Sequence, residues 1–374
     1  MNIDQNCGKR QAAGRRPLPP CSNMRRWRCA AVPACWVRCV LALAPQRCIT
    51  PTFSYRAELH PHGPGSLRGA HAAGTSIRAR AEALRVFSIE TTPKLSANVA
   101  QHCALMPPGT PVFVAALPGA ALADMAKLCA RLHAEGMVPV PHMTARALRD
   151  PQDLDSWLTT MRDCGVQRVL LLAGDNATPA GTFACSMDVL RTGQLQAHGI
   201  RHVDVVAHPE GSPHMPDPMA ELMPKLAWGR QNGIEMHVVT QVCFDVGAVS
   251  RLCRELRAAG VHNCIRVGLP GLASAATLLK YAAICGVGPS LNILKTKPAL
   301  VLGLTKNNDP GPLLDQLSKA WAEDPEGHGE VSLHFFSFGS LNQTALWASE
   351  RCSTLSSEMS ADFSPNRATK QAIL

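Results

Sequence analysis

From Arg85 onward, short β-branched or apolar runs alternate with longer stretches whose apolar residues recur every three or four positions. This is the pattern of parallel strand–helix units. Eight runs read as strands: residues 86–90, 111–117, 138–144, 167–175, 202–208, 235–244, 264–268 and 331–338. The intervening stretches read as amphipathic helices. Residues 123–135 place Met125, Leu128, Cys129 and Leu132 on one face. Residues 246–259 do the same with Val249, Leu252, Cys253 and Leu256, and turn Arg251, Arg254 and Arg257 away. Gly136, Gly165, Gly199, Gly233 and Gly260 follow helical stretches, where a left-handed residue ends the last turn without a Cβ clash.

The eight units span residues 86–348, or 263 residues, close to the ~250 of a closed (β/α)8 TIM barrel. An open doubly wound sheet is the runner-up. It calls for a glycine-rich phosphate turn after an early strand, and no GxGxxG follows any of the eight. The expected organisation is a basic, disordered leader over residues 1–80, a barrel over 81–350 and a flexible tail over 351–374.

In such a barrel the chemistry sits where the strands end and the βα loops converge. The polar strand-end residues are Glu90 on strand one, His142 and Thr144 on strand three, and Gly174-Asp175 on strand four. His208-Pro209-Glu210-Gly211 closes strand five, and Thr240-Gln241 lies near the end of strand six. Each has a plain structural explanation as well: Glu90 before a proline-led turn suits a helix cap, and Asp175 after glycine suits a loop cap. Two carboxylates, two histidines and a carboxamide on one mouth suit acid–base chemistry around an organic ligand. There is no GxSxG elbow, no HExxH or clustered Cys/His set and no glycine-rich lysine loop. Hydrolase, zinc and nucleotide-triphosphatase readings therefore lose their support.

Charge changes the picture only by being uneven. The net charge is +9, but residues 1–80 hold 13 Lys and Arg against Asp4 and Glu58, leaving −2 for the other 294 residues. The basicity belongs to the leader, so the expectation is no nucleic-acid partner for the domain. Arg25-Arg26 could mark export, and an acid-poor leader could mark an organelle, but the disordered extension is preferred and the expected location is cytoplasmic. His60, His62, Cys35 and Cys39 in the leader lack a folded frame for metal. Six of 15 cysteines lie there; the other nine are scattered, without a CxxC pair, and read as small buried apolar residues in a reducing compartment. The longest apolar run, residues 29–45, is too short and too broken for a membrane span.

Six strand-end segments in order resemble the methylenetetrahydrofolate reductase family: Ser88-Ile89-Glu90-Thr91-Thr92-Pro93, Pro141-His142-Met143-Thr144-Ala145-Arg146, Leu172-Ala173-Gly174-Asp175, Val206-Ala207-His208-Pro209-Glu210-Gly211, Val239-Thr240-Gln241-Val242-Cys243-Phe244-Asp245 and His334-Phe335-Phe336. The Val267-Gly268-Leu269-Pro270-Gly271 turn fits too, and the resemblance covers residues 86–348. It implies reduction of 5,10-methylenetetrahydrofolate to 5-methyltetrahydrofolate, with electrons passing from NADH or NADPH through FAD. By position Glu90 would be the general acid that protonates N10, which asks for a raised pKa. Asp175 would stabilise the cationic iminium and contact substrate and cofactor, and Gln241 would bind the pterin edge. His142, Thr144, Gly174, Asp175 and His208 would line the flavin. Folate and a nicotinamide nucleotide are the implied partners, and a homo-oligomer is left open.

The departures from the family pattern fall on the flavin side. Ala173 stands where an Arg usually meets the FAD phosphates, and His208 replaces an aromatic. Ala115 and Ala116 replace a strand-two Thr, and Gly339-Ser340 replaces an Arg after the last strand. Two other functions therefore stay open: a paralogue oxidising methyl-tetrahydrofolate in a demethylation pathway, and a non-catalytic folate-binding subunit. The second would be expected to have lost Glu90, which is present.

Overall fold

A computed structural model describes residues 81–362, apart from 82, 118, 175, 212–216, 275–276 and 278–308. The leader over 1–80, Asp175, Cys285 and the last residues of the expected tail lie outside the described residues. Eight parallel strands close into a barrel in chain order, β8 returning to β1. They are β1 (Ser88–Thr91), β2 (Pro111–Val114), β3 (Val138–Thr144), β4 (Arg168–Leu172), β5 (His202–Ala207), β6 (Glu235–Thr240), β7 (Ile265–Pro270) and β8 (Val331–Phe336). The (β/α)8 expectation is met. Described helices are α1 (Val99–Cys103), α2 (Leu122–Ala134), α3 (Pro151–Asp163), α4 (Ser186–Arg191), α5 (Gln194–Ala197), α6 (Pro218–Asn232), α7 (Val246–Ala258), α8 (Gly311–Glu323), α9 (Pro325–His328) and α10 (Leu341–Asp362). The last of these runs through residue 350, where the barrel had been expected to give way to a tail. No helix among the described residues is long and apolar enough to cross a membrane.

The helices bury the faces that their spacing marked. Met125, Leu128, Cys129 and Leu132 of α2 are buried, as are Val249, Leu252, Cys253 and Leu256 of α7. They join the outward strand residues Val112, Val114, Val169, Leu171, Val203, Val205, Ile265, Val267, Leu333 and Phe335 in one continuous core. Several strands end earlier than their apolar runs. On β6 the cause is local: Thr240 Oγ1 accepts from the Gly268 amide at 2.8 Å, and Gln241 Oε1 accepts from the Val242 amide at 2.9 Å. Side-chain acceptors thus replace the ladder and turn the chain outward.

The inward residues divide the barrel into three levels. At the N-terminal floor Arg168 grips the fully buried Asp204 with two hydrogen bonds of 2.7 and 2.5 Å, and reaches His237 Nδ1 at 2.6 Å. His237 Nε2 lies 2.8 Å from Glu235, and Arg266 lies 3.5 Å from Ser332 Oγ. Burial works against the Arg168 charge, but Asp204 outweighs it by charge and hydrogen bonding, so its pKa rises. Above this floor Phe113, Val140, Leu170 and Val239 form a separate apolar plug, with Leu172 and Val206 against it. The third level opens at the C-terminal mouth.

Candidate active site

Glu90 sits at the end of β1, its side chain 22% exposed, with Phe113 of the apolar plug as its register partner on β2. Its Oε2 is 3.7 Å from His142 Nε2 of β3 and 3.9 Å from His334 Nε2 of β8. Glu90 does not cap the turn that follows: the cap position of the 3-10 helix at Pro93–Asn98 is Thr92, with no side-chain cap bond.

Burial raises the Glu90 pKa above the usual carboxylate range, with the nearby His142 opposing in part. Burial lowers the pKa of His142; Glu90 partly restores it, and His334 adds to the depression. His334 is pushed down to about 3 by burial and by the charge of Arg266 from the floor below. Near neutral pH the two imidazoles are thus uncharged, and burial biases the Glu90 carboxyl between them toward its protonated form.

The ring of His334 is tied to Ser88, its register partner on β1. Ser88 Oγ lies 3.0 Å from His334 Nδ1 and 3.2 Å from the Leu333 carbonyl. A hydroxyl has one proton. Given to the carbonyl, it leaves Nδ1–H to donate to Ser88 and turns the Nε2 lone pair toward Glu90. Phe113 packs edge-on against His334 at 4.5 Å between centroids and against His142 at 6.4 Å. The plug therefore fixes both rings while excluding water from beneath them. His142 Nε2 is buried without a hydrogen-bond partner, as is His208 Nδ1 at the end of β5.

The other expected site residues are placed as follows. Thr144 and Gly174 meet: Gly174 has φ +93°, and a Cβ there would fall 3.1 Å from Thr144 Cβ. Gln241 ends β6, with its amide on the Ala207 carbonyl at 2.8 Å and its Oε1 engaged by Val242. Its side-chain NH2 is the group left to donate, so the mixed donor–acceptor edge expected of it is half committed to its own loop. His208 has a pKa lowered by burial and then by Lys225. The distances bring Glu90 and His142 into one cluster; Asp175 lies outside the described residues. His334 and Ser88 were not singled out from the sequence. Their signal is the inward alternation of Ser88 with Glu90 and of His334 with Phe336, which gains meaning only once β8 is paired with β1.

The fit to a flavin is partial. His142, Thr144, Gly174 and His208 present small or unpartnered polar groups that suit a ring edge. A diphosphate needs cations. Ala173 offers none, and Arg146 beside Gly174 keeps its charge while donating from Nε to the Ala184 carbonyl at 2.8 Å and from Nη1 to the Asn176 carbonyl at 3.2 Å. Lys225 is buried, with burial lowering its pKa and Glu221 3.9 Å away. The described residues do not place an arginine before Gly174, where the family pattern has one. Nor do they contain a group of three His, Cys, Asp or Glu side chains arranged to hold a metal.

A closed parallel barrel carrying an acid between imidazoles at its C-terminal mouth defines a TIM-barrel protein equipped for acid–base chemistry. The methylenetetrahydrofolate reductase family model matches residues 79–295, so the chain belongs to that family. Among solved structures it is similar to an uncharacterised protein from Clostridium thermocellum described as binding two copies of 5-methyl-5,6,7,8-tetrahydrofolic acid. The identity is 11% and the TM-score 0.46, over 72% of this chain and 95% of that one. That likeness is too distant to bear on the ligand of this chain.

Proposed function

We propose that the mouth reduces 5,10-methylenetetrahydrofolate to 5-methyltetrahydrofolate, with Glu90 as the general acid. The observation that carries this reading is the Glu90 carboxyl, raised in pKa by burial and set 3.7 and 3.9 Å from two imidazoles that are held neutral. A carboxyl whose protonated form is favoured by burial, yet which reaches the open mouth, can give its proton to N10. The C–N10 bond then breaks, its electron pair stays on N10, and the methylene carbon becomes an iminium on N5. Hydride from the C4 carbon of NADH or NADPH adds to that carbon and completes the methyl group. Solvent returns the proton to Glu90.

His334, uncharged at neutral pH, puts no positive charge beside Glu90 and so does not favour its ionised form before the step. Asp175 keeps the role that the family resemblance implies, electrostatic stabilisation of the iminium. Gln241 offers its NH2 to the pterin edge. A flavin, where bound, would supply a hydride relay between nicotinamide and folate. His142, Thr144, Gly174 and His208 would lie along its ring, and no step is assigned to it.

Glu90→Gln tests the reading. The variant should bind 5-methyltetrahydrofolate within a few-fold of the parent, while methylenetetrahydrofolate-dependent oxidation of NADH or NADPH falls by ~10²-fold or more. Parent-like turnover in the variant removes Glu90 from the mechanism. No turnover by the parent with either nucleotide, with and without added FAD, overturns the function.

A further inference from the structure

The floor of the barrel holds more positive charge than its buried carboxylate can pair. Arg168 and Arg266 are both more than nine-tenths buried, and Asp204 is the one buried carboxylate among the described residues. Arg168 takes both oxygens of Asp204, at 2.7 and 2.5 Å, and also donates to His237 Nδ1 at 2.6 Å. With that lone pair taken, His237 is the tautomer whose Nε2–H donates to Glu235 at 2.8 Å. Burial and the Arg168 charge lower its pKa, so the ring carries no charge near neutral pH. Glu235 and Glu330 are exposed on the rim, where water screens them. Two guanidinium charges thus share one buried carboxylate, and Arg168 holds it.

Arginine stays protonated in proteins, so Arg266 carries the charge left over. Its Nε is buried without a hydrogen-bond partner. Its Nη1 reaches Ser332 Oγ, on its register partner in β8, at 3.5 Å. Its Nη2 is 3.5 Å from His237 Nδ1, the lone pair that already serves Arg168. Ordinary N–H···O bonds run ~2.7–3.2 Å, so none of the Arg266 donors has an acceptor at full strength. Ser332 Oγ lies 3.6 Å from Cys264 Sγ, a weak acceptor, so its own proton is also poorly placed. Arg266, Ser332 and Cys264 are each more than nine-tenths buried. Donors converge here from β7 and β8 with no strong acceptor among them.

We infer that Arg266 Nε–H and Nη1–H, together with the Ser332 hydroxyl, bind one compact monovalent anion with the chemistry of chloride. The site lies at the end of the barrel opposite Glu90 and does not depend on the function proposed above. One negative charge balances Arg266; a phosphate or sulfate dianion would reverse the imbalance. An anion that carries a proton would need an acceptor, and both Asp204 and His237 Nδ1 are engaged by Arg168. A chloride ion, larger than an oxygen atom, can touch two donors set 3.5 Å apart from one side. Enclosure among strands makes each such contact stronger than it would be in water.

The test follows thermal unfolding of the full chain as sodium chloride replaces sodium gluconate at constant ionic strength. Screening then stays fixed, and gluconate is too large to stand in for the ion. The parent Tm should rise saturably with chloride, and bromide should substitute for it. Ser332→Ala removes one donor and should raise the apparent chloride Kd by roughly 3- to 10-fold. Arg266→Met should abolish the response, whereas Arg162→Met, which removes an exposed arginine, should keep it. A flat response in the parent, or the parental response in Arg266→Met, overturns the site. If Arg266→Met folds poorly, crystals of the parent grown with bromide decide: an anomalous peak beside Arg266 Nε and Ser332 Oγ supports the site, and bromide confined to the surface overturns it.

Discussion

Lowering the pH from 7.5 to 5.0 should destabilise this barrel through His334, and the size of the effect can be worked from its surroundings. The imidazole is fully buried among Phe113, Phe336 and Ser88, and its pKa falls from 6.5 to about 3. The unfolded chain takes up a proton on this residue as the pH falls through 6.5, while the folded chain stays neutral until about 3. Stability from this depressed group is therefore fully present above 6.5 and is lost progressively on the way down. Each pH unit in that window costs about 1.4 kcal/mol, so the loss by pH 5.0 is about 2 kcal/mol. Burial likewise depresses His142, His208 and His237, so wild-type stability alone would not isolate His334. His334→Gln does. The substitution lowers stability by some constant amount but removes the titration, so denaturant unfolding at the two pH values should show about 2 kcal/mol less acid sensitivity than the parent. Identical pH dependence in both proteins would refute a neutral His334, and with it the lone pair assigned to face Glu90.

Other perturbations follow from the same geometry. Asp204→Asn leaves Arg168 buried without its carboxylate and should cost about 3–5 kcal/mol in denaturant unfolding, whereas Arg168→Met combined with Asp204→Leu should recover most of it; a mild single variant would show that the floor is not charged as drawn. Gly174→Ala meets both a φ of +93° and Thr144 Cβ at 3.1 Å, whereas Gly136→Ala meets positive φ alone with open space around it. Both should lose stability by about 1 kcal/mol or more, Gly174→Ala the more, and equal thermal shifts would mean that Thr144 gives way.

The sequence is informative where one residue type answers one local demand. Gly136, Gly165, Gly199, Gly233 and Gly260 were marked as helix ends, and all five have φ between +67° and +79°. The strands were legible because their apolar residues serve two surfaces at once. On β4, Val169 and Leu171 meet the helices while Leu170 and Leu172 meet the plug, which makes one unbroken apolar run. The same property blurred their ends, since apolar residues continue past the point where Thr240 and Gln241 take over the hydrogen bonds. Glu90 and His142 were legible as strand-end polar groups. His334 and Ser88 were not, because their meaning depends on residues some 245 positions apart in the chain becoming register partners when β8 closes onto β1. Gln241 shows the opposite limit: its type suggested a mixed donor–acceptor edge, but a local bond to Val242 commits its oxygen.

The vertical order of the interior explains why the acid is where it is. A carboxyl placed directly on the floor would meet Arg168 and Arg266 and ionise; one placed higher on the loops would be solvated and ionise too. Phe113, Val140, Leu170 and Val239 separate Glu90 from the cations while denying it water from below. The floor still acts through the plug: the Arg266 charge is felt at His334, where it discourages protonation of the imidazole rather than of the acid. Keeping His334 neutral matters because an imidazolium 3.9 Å from Glu90 would pull the carboxyl back toward its ionised form. Positive charge at the bottom of the barrel thus reinforces the neutral state that burial gives His334, with Asp204 opposing in part.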